Sequence, residues 1–174
     1  MIFVTVGTDQ HPFNRLIKKV DSLQEKGMLD EDIFIQTGYS DYKPQFCQHA
    51  EFLPFEQMLE KIREARIVIT HGGPGSIMPV IYTGNVPIVV TRRKNYGEVV
   101  DDHQVYFVKK LKKQKQIISV DNIEELEHTI KNYDDLVIKL KLFLRTNAPP
   151  DKRIAHFVRA LDEICEKFKR KKKR

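Results

Sequence analysis

Short β-branched apolar runs alternate along this chain with longer segments whose apolar residues recur at helical spacing, and this alternation constrains the fold more than any other feature. The predicted strands are residues 2–6, 33–38, 67–70, 87–91 and 116–120, with a short extended piece at 50–53. The predicted helices between them are 12–26, 55–65, the segment after Ser76, and 101–112. Such alternation predicts an α/β chain with a Rossmann-like open parallel sheet and helices on both faces.

The last third of the chain is predicted to be helical. Residues 121–131 and 134–144 show helical patterns, and a proline-rich break precedes a final segment with an apolar stripe at i, i+3, i+4 and i+7. We expect a sheet domain over 1–146, an amphipathic helix over 147–168 and a basic tail over 169–174. The stripe on the final helix fits core packing, docking of a partner, or a membrane surface.

Length and cysteine content limit the class of protein. The 174 residues fit one globular domain and are too few for two. The chain begins without a charged leader and has only Cys47 and Cys165, which predicts reduced thiols in the cytoplasm rather than a disulfide framework. Its apolar runs are strand-sized, far short of the roughly 18 residues that cross a bilayer.

The positive charge of the chain is concentrated at its C-terminus. Of the net +6, residues 167–174 carry seven positive charges, which leaves a net of −1 for residues 1–166. A nucleic-acid-binding fold usually spreads basic residues over one face and interleaves aromatic ones, so we expect no nucleic-acid partner. The tail suits an anionic membrane surface; the alternative is a solvated, frayed helix end.

A glycine-rich turn joins a predicted buried strand to a predicted helix. Three of the 8 glycines lie in residues 72–75, and we expect Ser76 to cap the helix and Pro79 to lie near its third residue. A backbone turn at this position can approach a phosphate closely, with the helix N-terminus facing the anion. The sequence matches neither a nucleotide-triphosphate P-loop, nor a dinucleotide fingerprint, nor an esterase elbow. The alternative is a tight chain reversal that binds nothing.

The next strand is followed by a second polar loop at the same edge of the sheet. Arg92 and Arg93 can neutralise a diphosphate, while His103 and Gln104 can bond sugar hydroxyls. Read alone, the loop is also consistent with a solvated charged connection. Two such loops at adjacent strand ends favour a ligand site.

Candidate catalytic groups are few. The six histidines are scattered and neither cysteine has a neighbour at ligand spacing, so we expect no metal site and no cofactor. Asp9 and His11, in the loop after the first strand, are candidates for an acid–base pair. The alternative is that they only shape the turn before Pro12.

Taken together, these motifs resemble the C-terminal, nucleotide-sugar-binding half of the family 28 glycosyltransferases. The matching segments span about the first 105 residues: 4–8 (VTVGT), 12–17 (PFNRLI), 71–76 (HGGPGS), 96–98 (YGE) and 102–104 (DHQ). The resemblance extends to small stand-alone chains, among them bacterial exopolysaccharide and capsule glycosyltransferase subunits and the catalytic subunit of the two-subunit dolichol-pyrophosphate N-acetylglucosaminyltransferase. It implies the C-terminal half of a GT-B fold.

The resemblance implies that Gly72, Gly73, Gly75 and Ser76 contact the nucleotide diphosphate and that His103 and Gln104 contact the donor sugar. Together with residues of the strand-end loops, the residues expected to bind the donor are Thr8, His71, Gly72, Gly73, Gly75, Ser76, Arg92, Arg93, Glu98, His103 and Gln104. His11 and Asp9 are expected to be catalytic. Where full-length members hold the ribose with a Glu, this chain has Pro79, so backbone groups or Glu98 are expected to take that role.

The implied activity is an inverting, metal-independent transfer of a sugar from a UDP-sugar to a lipid-pyrophosphate-linked saccharide in exopolysaccharide or capsule biosynthesis. A membrane-bound subunit resembling the N-terminal half of a GT-B enzyme would complete the acceptor site. The chain would then lie at the inner face of the plasma membrane, held in part by its basic tail. The alternative is a non-catalytic regulatory or anchoring subunit, which the Pro79 departure favours.

Overall fold

A computed structural model describes residues 1–147, with side-chain surroundings through residue 143. The strands are β1 (Ile2–Thr5), β2 (Ile33–Gln36), β3 (Gln48–Ala50), β4 (Ile67–Thr70), β5 (Ile88–Val90) and β6 (Ile118–Val120). The helices are α1 (Asn14–Glu25), α2 (Phe55–Glu64), α3 (Pro74–Tyr82), α4 (His103–Lys113), α5 (Leu126–Lys131) and α6 (Tyr133–Asn147). The short extended piece predicted at 50–53 lies slightly earlier, as β3, and a 3₁₀ turn precedes α5.

The described strands form one parallel sheet in the order β3-β2-β1-β4-β5-β6. Strand β1 lies at its centre, where Thr5 is in register with Gln36 on one side and Thr70 on the other. Its residues Ile2–Thr5 are wholly buried, as expected for a parallel strand covered on both faces. The predicted Rossmann-like open parallel sheet with accompanying helices is confirmed.

The chain leaves β1 towards β2 but leaves β4 towards β5, so the strand order reverses between β1 and β4. With right-handed crossovers, α1 covers one face of the sheet and α2, α3 and α4 cover the other. On the second face, Ile62 of α2 and Val80 of α3 pack with Phe3 in one apolar cluster. The reversal opens a crevice at the carboxyl ends of β1 and β4, where ligands bind in folds of this kind.

The chain divides into two compact units, residues 1–136 and residues 137–174. Helix α6 begins in the first and contains the predicted helix 134–144. The predicted boundary at 146 stays a prediction. Residues 148–174 lie outside the described residues, and they include most of the predicted final helix, the basic tail and Cys165.

Cys47 is a free, buried thiol, and burial beside the Asp21 carboxylate raises its pKa to about 12. None of the helices in residues 1–147 has both the length and the apolar run that crossing a bilayer requires.

Candidate functional site

The turn between β4 and α3 lies at the strand-order reversal. Gly73 is the N-cap of α3 in an extended conformation, and Pro74 is the first helical residue. Ser76 is therefore not the cap, as the sequence had predicted, but the third helical residue, with a buried side chain. The signal that marks the true start is Pro74, because proline is favoured at the first helical position. Pro79 becomes the sixth residue of α3 rather than the third, and its missing N–H leaves the Gly75 carbonyl without its intrahelical donor.

His71 fills the space between two glycine turns. A Cβ built on Gly7 or on Gly73 would lie under 3.0 Å from the His71 ring, so both backbones approach the imidazole as only glycine permits. Gly7 also has a φ of +76°, which disfavours other residues. Burial, helped by the nearby Arg92 guanidinium, lowers the pKa of His71 to about 4. The ring is therefore neutral at physiological pH.

Several polar atoms around this turn have no partner in the described part of the chain. Neither the His71 Nδ1 nor the Gln104 Oε1 is hydrogen-bonded, although both are buried. In residues 1–147, the N–H groups of Gly73 and Gly75 likewise donate to no carbonyl or side chain. Gly72 brings these groups together, since a Cβ there would touch Gln104 and Val108 of α4. The two buried side-chain atoms without partners and the unpaired N–H groups at the start of α3 make this cluster a candidate for binding a ligand.

Asp9 and His11 form a pair in the loop after β1. The His11 N–H donates to the Asp9 Oδ1 over 2.9 Å, and the His11 Nδ1 lies 2.6 Å from the same oxygen. Partial burial raises the pKa of Asp9, but the His11 hydrogen bonds and the Arg92 charge outweigh it and leave that pKa below its usual value. An ionised Asp9 holds the proton of His11 on Nδ1 and leaves Nε2 as an acceptor. The same contacts also shape the turn, so both alternatives for this pair have a physical basis.

Arg92 departs from its predicted role as a diphosphate ligand. Its side chain is wholly buried, and its guanidinium donates to the carbonyls of Val6 (2.9 Å), His11 (2.6 Å) and Glu98 (2.9 Å). It therefore fastens the loop after β5 to the loop after β1. Arg93 stays closer to the prediction, with a partly exposed side chain whose Nη2 lies 3.6 Å from Asp121.

Glu98 likewise departs from the expected ribose contact. It is buried, and both carboxylate oxygens accept bonds from Arg15, each over 2.9 Å. One of them also accepts the Arg93 backbone N–H over 3.0 Å. Arg15 is not among the predicted site residues, because its partner Glu98 lies 83 residues further along the chain.

The remaining predicted site residues lie around the same crevice. Thr8 is exposed in the loop after β1, and His103 is exposed at the start of α4, where its ring pairs with Asp101. Gln104 follows His103 and turns inward. In the described residues, no group of three or more His, Cys, Asp or Glu side chains could hold a metal ion, and metal independence stays a prediction.

Comparisons with known proteins agree with this geometry. A model of the glycosyltransferase family 28 C-terminal domain matches residues 1–147. The glycosyltransferase SnogD from Streptomyces nogalater superposes with a TM-score of 0.51 at 16% identity, covering 91% of this chain and 43% of that one. The glycotransferase of kitacinnamycin superposes with a TM-score of 0.58 at 14% identity, covering 83% of this chain and 38% of that one.

These structural likenesses show the fold, and this chain spans about two fifths of the length of each enzyme. A search of curated proteins gave no significant match.

Proposed function

Since this chain belongs to the family of proteins that carry the glycosyltransferase family 28 C-terminal domain, we propose that it is the donor-binding half of a two-part glycosyltransferase. It takes a UDP-sugar as donor and a lipid-pyrophosphate-linked saccharide as acceptor, in exopolysaccharide or capsule biosynthesis. The observation that carries the proposal is the β4–α3 turn. Its free amides, with the neutral His71 and the inward Gln104, offer hydrogen bonds where the strand order reverses.

The turn suits a departing diphosphate. The amides of Gly73 and Gly75 and the positive end of the α3 dipole stabilise the negative charge that develops as the bond from the sugar to UDP breaks. Gln104 would bond a hydroxyl of the transferred sugar through its Oε1, which has no partner in the described residues. Arg93 is the remaining candidate for a contact with the phosphates.

His11 is the proposed general base. The acceptor hydroxyl attacks the anomeric carbon and gives its proton to the His11 Nε2, while UDP leaves with the electron pair of the broken bond. One displacement of this kind inverts the anomeric configuration. Asp9 holds the opposite ring nitrogen and stabilises the imidazolium that forms.

A partner subunit is part of the proposal, because the chain corresponds to about two fifths of the GT-B enzymes that share its fold. That partner would be membrane-bound and resemble the N-terminal half, and the chain would lie peripherally at the inner face of the membrane. The basic tail would add attraction to anionic lipid, at about 1 kcal/mol per Lys or Arg near the surface.

A non-catalytic regulatory or anchoring subunit is the second candidate. Pro79 stands where full-length members hold the ribose with a Glu, and Glu98 is engaged by Arg15, which leaves backbone groups for that role. In that case the fold would be kept while transfer is absent.

Reconstituted transfer separates the two candidates. The chain is co-expressed with its membrane partner, and transfer to membrane lipid is followed from radiolabelled UDP-galactose, UDP-glucuronic acid and UDP-N-acetylglucosamine. We expect His11→Ala to lower the rate by about 10²–10⁴-fold with unchanged UDP affinity, whereas His128→Ala, on the exposed face of α5, leaves both unchanged. UDP binding without transfer from any donor would favour the non-catalytic candidate.

A further inference from the structure

A separate cavity of about 280 Å³ opens on the α1 side of the sheet. It lies between the start of α1, the loop after β2 and the loop after β5, where Asn14, Asp41 and Tyr96 contribute to its lining. Pro12, another lining residue, directly follows His11. The cavity therefore adjoins the proposed general base but is formed by residues other than those of the glycine turn.

The wall that carries Asp41 is fixed in place before any ligand arrives. The wholly buried Asp21 accepts hydrogen bonds from the Tyr42 hydroxyl over 2.7 Å and from the Phe46 N–H over 2.9 Å. Asn14 adds a second bond to Tyr42, because its Oδ1 accepts the Tyr42 N–H over 3.1 Å. A preformed wall lowers the entropic cost of binding.

The opposite wall is equally fixed. The Arg15 guanidinium donates hydrogen bonds to both carboxylate oxygens of Glu98, and Arg92 donates one to the Glu98 carbonyl. The Tyr96 ring lies over the Arg15 guanidinium at 4.9 Å. Gly97 turns the chain with a φ of +68°, and a Cβ at this position would point into open space.

The chemistry of the lining favours a neutral polyol. The Asn14 Nδ2 donates a long hydrogen bond of 3.4 Å to the Asp41 Oδ2, and a sugar hydroxyl can replace this weak bond. Tyr96 is 62% exposed and offers the aromatic surface against which the C–H face of a sugar packs. One positive charge, Arg15, stands against the two negative charges of Asp41 and Glu98, so the lining repels a phosphate. The volume lies just below the range of about 300–1,000 Å³ for pockets that enclose drug-sized ligands, which suits one monosaccharide unit.

From these features we infer that the cavity binds one monosaccharide unit of the acceptor saccharide, so that this chain holds part of the acceptor as well as the donor. The inference rests on the proposed function, because it assigns the sugar to the acceptor. Asp41 and Asn14 would bond its hydroxyls, and Tyr96 would pack against its ring.

Amide chemical shifts of the full-length ¹⁵N-labelled chain test this assignment. With UDP at saturation, the neutral methyl glycosides of glucose, galactose and N-acetylglucosamine are titrated in turn. At least one is expected to shift the amides of Asp41, Tyr96 and Gly97, with a dissociation constant in the millimolar range, on the order of 1 mM. Asp41→Ala and Tyr96→Ala should each weaken that binding about tenfold or more.

Tyr82→Ala is the matched control, because Tyr82 is 60% exposed at the end of α3 and does not line the cavity. It should leave the affinity unchanged. The inference is overturned if no glycoside shifts these amides, if the Asp41 and Tyr96 variants bind as the unaltered chain does, or if inorganic phosphate gives the same shifts at lower concentration. It is also overturned if replacing UDP by an intact UDP-sugar blocks the glycoside, because the cavity then holds the donor sugar.

The proposed function fails separately in the same sample. Its failure would appear as absent UDP-induced shifts at Gly73 and Gly75 while a glycoside still binds beside Tyr96. That result would keep the carbohydrate site and remove only its assignment to a UDP-dependent transfer.

Discussion

The β4–α3 turn and the loop after β5 follow adjacent strands, and both carry groups suited to an anion, yet they use those groups in opposite ways. In the turn, the His71 Nδ1 and the amides of Gly73 and Gly75 have no partner in the described residues. In the loop, Arg92 donates to three carbonyls although its buried Nε has no partner in the described residues, and Glu98 accepts hydrogen bonds from Arg15. The turn is therefore the better candidate for a ligand site, and the loop is its scaffold.

Formal charge in a sequence therefore does not measure the charge that is available to a ligand. A wholly buried guanidinium that bonds three carbonyls keeps its charge but has few donors to spare. A neutral backbone turn with free N–H groups is the stronger anion site.

Replacing Arg92 should damage stability rather than donor binding alone. Arg92→Met leaves three carbonyls without their donor, and each unsatisfied buried group costs about 1–3 kcal/mol, so we expect a loss of about 3 kcal/mol or more. Urea denaturation measures the change. Arg93→Ala, at the partly exposed neighbour, is the control and should cost less than about 1 kcal/mol. If Arg92→Met kept full stability and lost only UDP affinity, the loop would belong to the ligand site.

The pH dependence of stability should expose the buried, neutral His71. Its pKa of about 4 in the fold lies below the ordinary 6.5, so the unfolded chain binds more protons between these values. The part of the unfolding free energy that depends on a neutral His71 is fully present above pH 6.5 and is lost as the pH falls towards 4. The loss over this interval is about 3 kcal/mol. His71→Gln should flatten this part of the profile in denaturation experiments across that interval. An unchanged slope in the variant would mean that His71 is not held neutral by burial.

A methyl group at Gly73 should disrupt the turn. The added Cβ would lie under 3.0 Å from the His71 ring, so Gly73→Ala should lower UDP affinity more than tenfold and also lower the melting temperature. Gly75→Ala is the matched control for folding, because a Cβ there meets nothing within 4 Å. It should melt at the unaltered temperature. Equal UDP affinity of Gly73→Ala and the unaltered chain would contradict the assigned diphosphate site.

Gln104 should affect the sugar more than the nucleotide. Its Oε1 is buried without a partner, so Gln104→Ala is expected to weaken binding of a UDP-sugar about five- to tenfold while leaving UDP alone within twofold. Calorimetric titrations with both ligands measure the ratio. His103→Ala, at the exposed neighbour that pairs with Asp101, should change the ratio less. An equal loss of affinity for UDP and for the UDP-sugar would mean that Gln104 contacts the diphosphate rather than the sugar.

Local pattern was enough to predict the sheet and the place of the glycine-rich turn at its edge. The central strands are short apolar runs buried on both faces, and the glycine turn falls where the strand order reverses. The use of Arg92 and Glu98 was beyond prediction, because the contacts of Arg92 with Val6 and of Arg15 with Glu98 join residues 86 and 83 positions apart. No periodicity encodes such pairings.

The start of α3 was missed for a different reason. Serine is a common N-cap, but a proline two residues earlier already fixed the helical φ and moved the start to Pro74. The earlier helix start matters for function, because the Gly75 amide then lies in the first turn of the helix and the Ser76 side chain is buried.

Titration of the ¹⁵N-labelled chain with UDP shows whether the β4–α3 turn holds the donor diphosphate. We expect the largest amide shifts on Gly72, Gly73 and Gly75, with a smaller change at Gln104 and little change at residues 94–97. Shifts confined to the basic residues 167–174, or saturable UDP binding with no shift in the glycine turn, would contradict it.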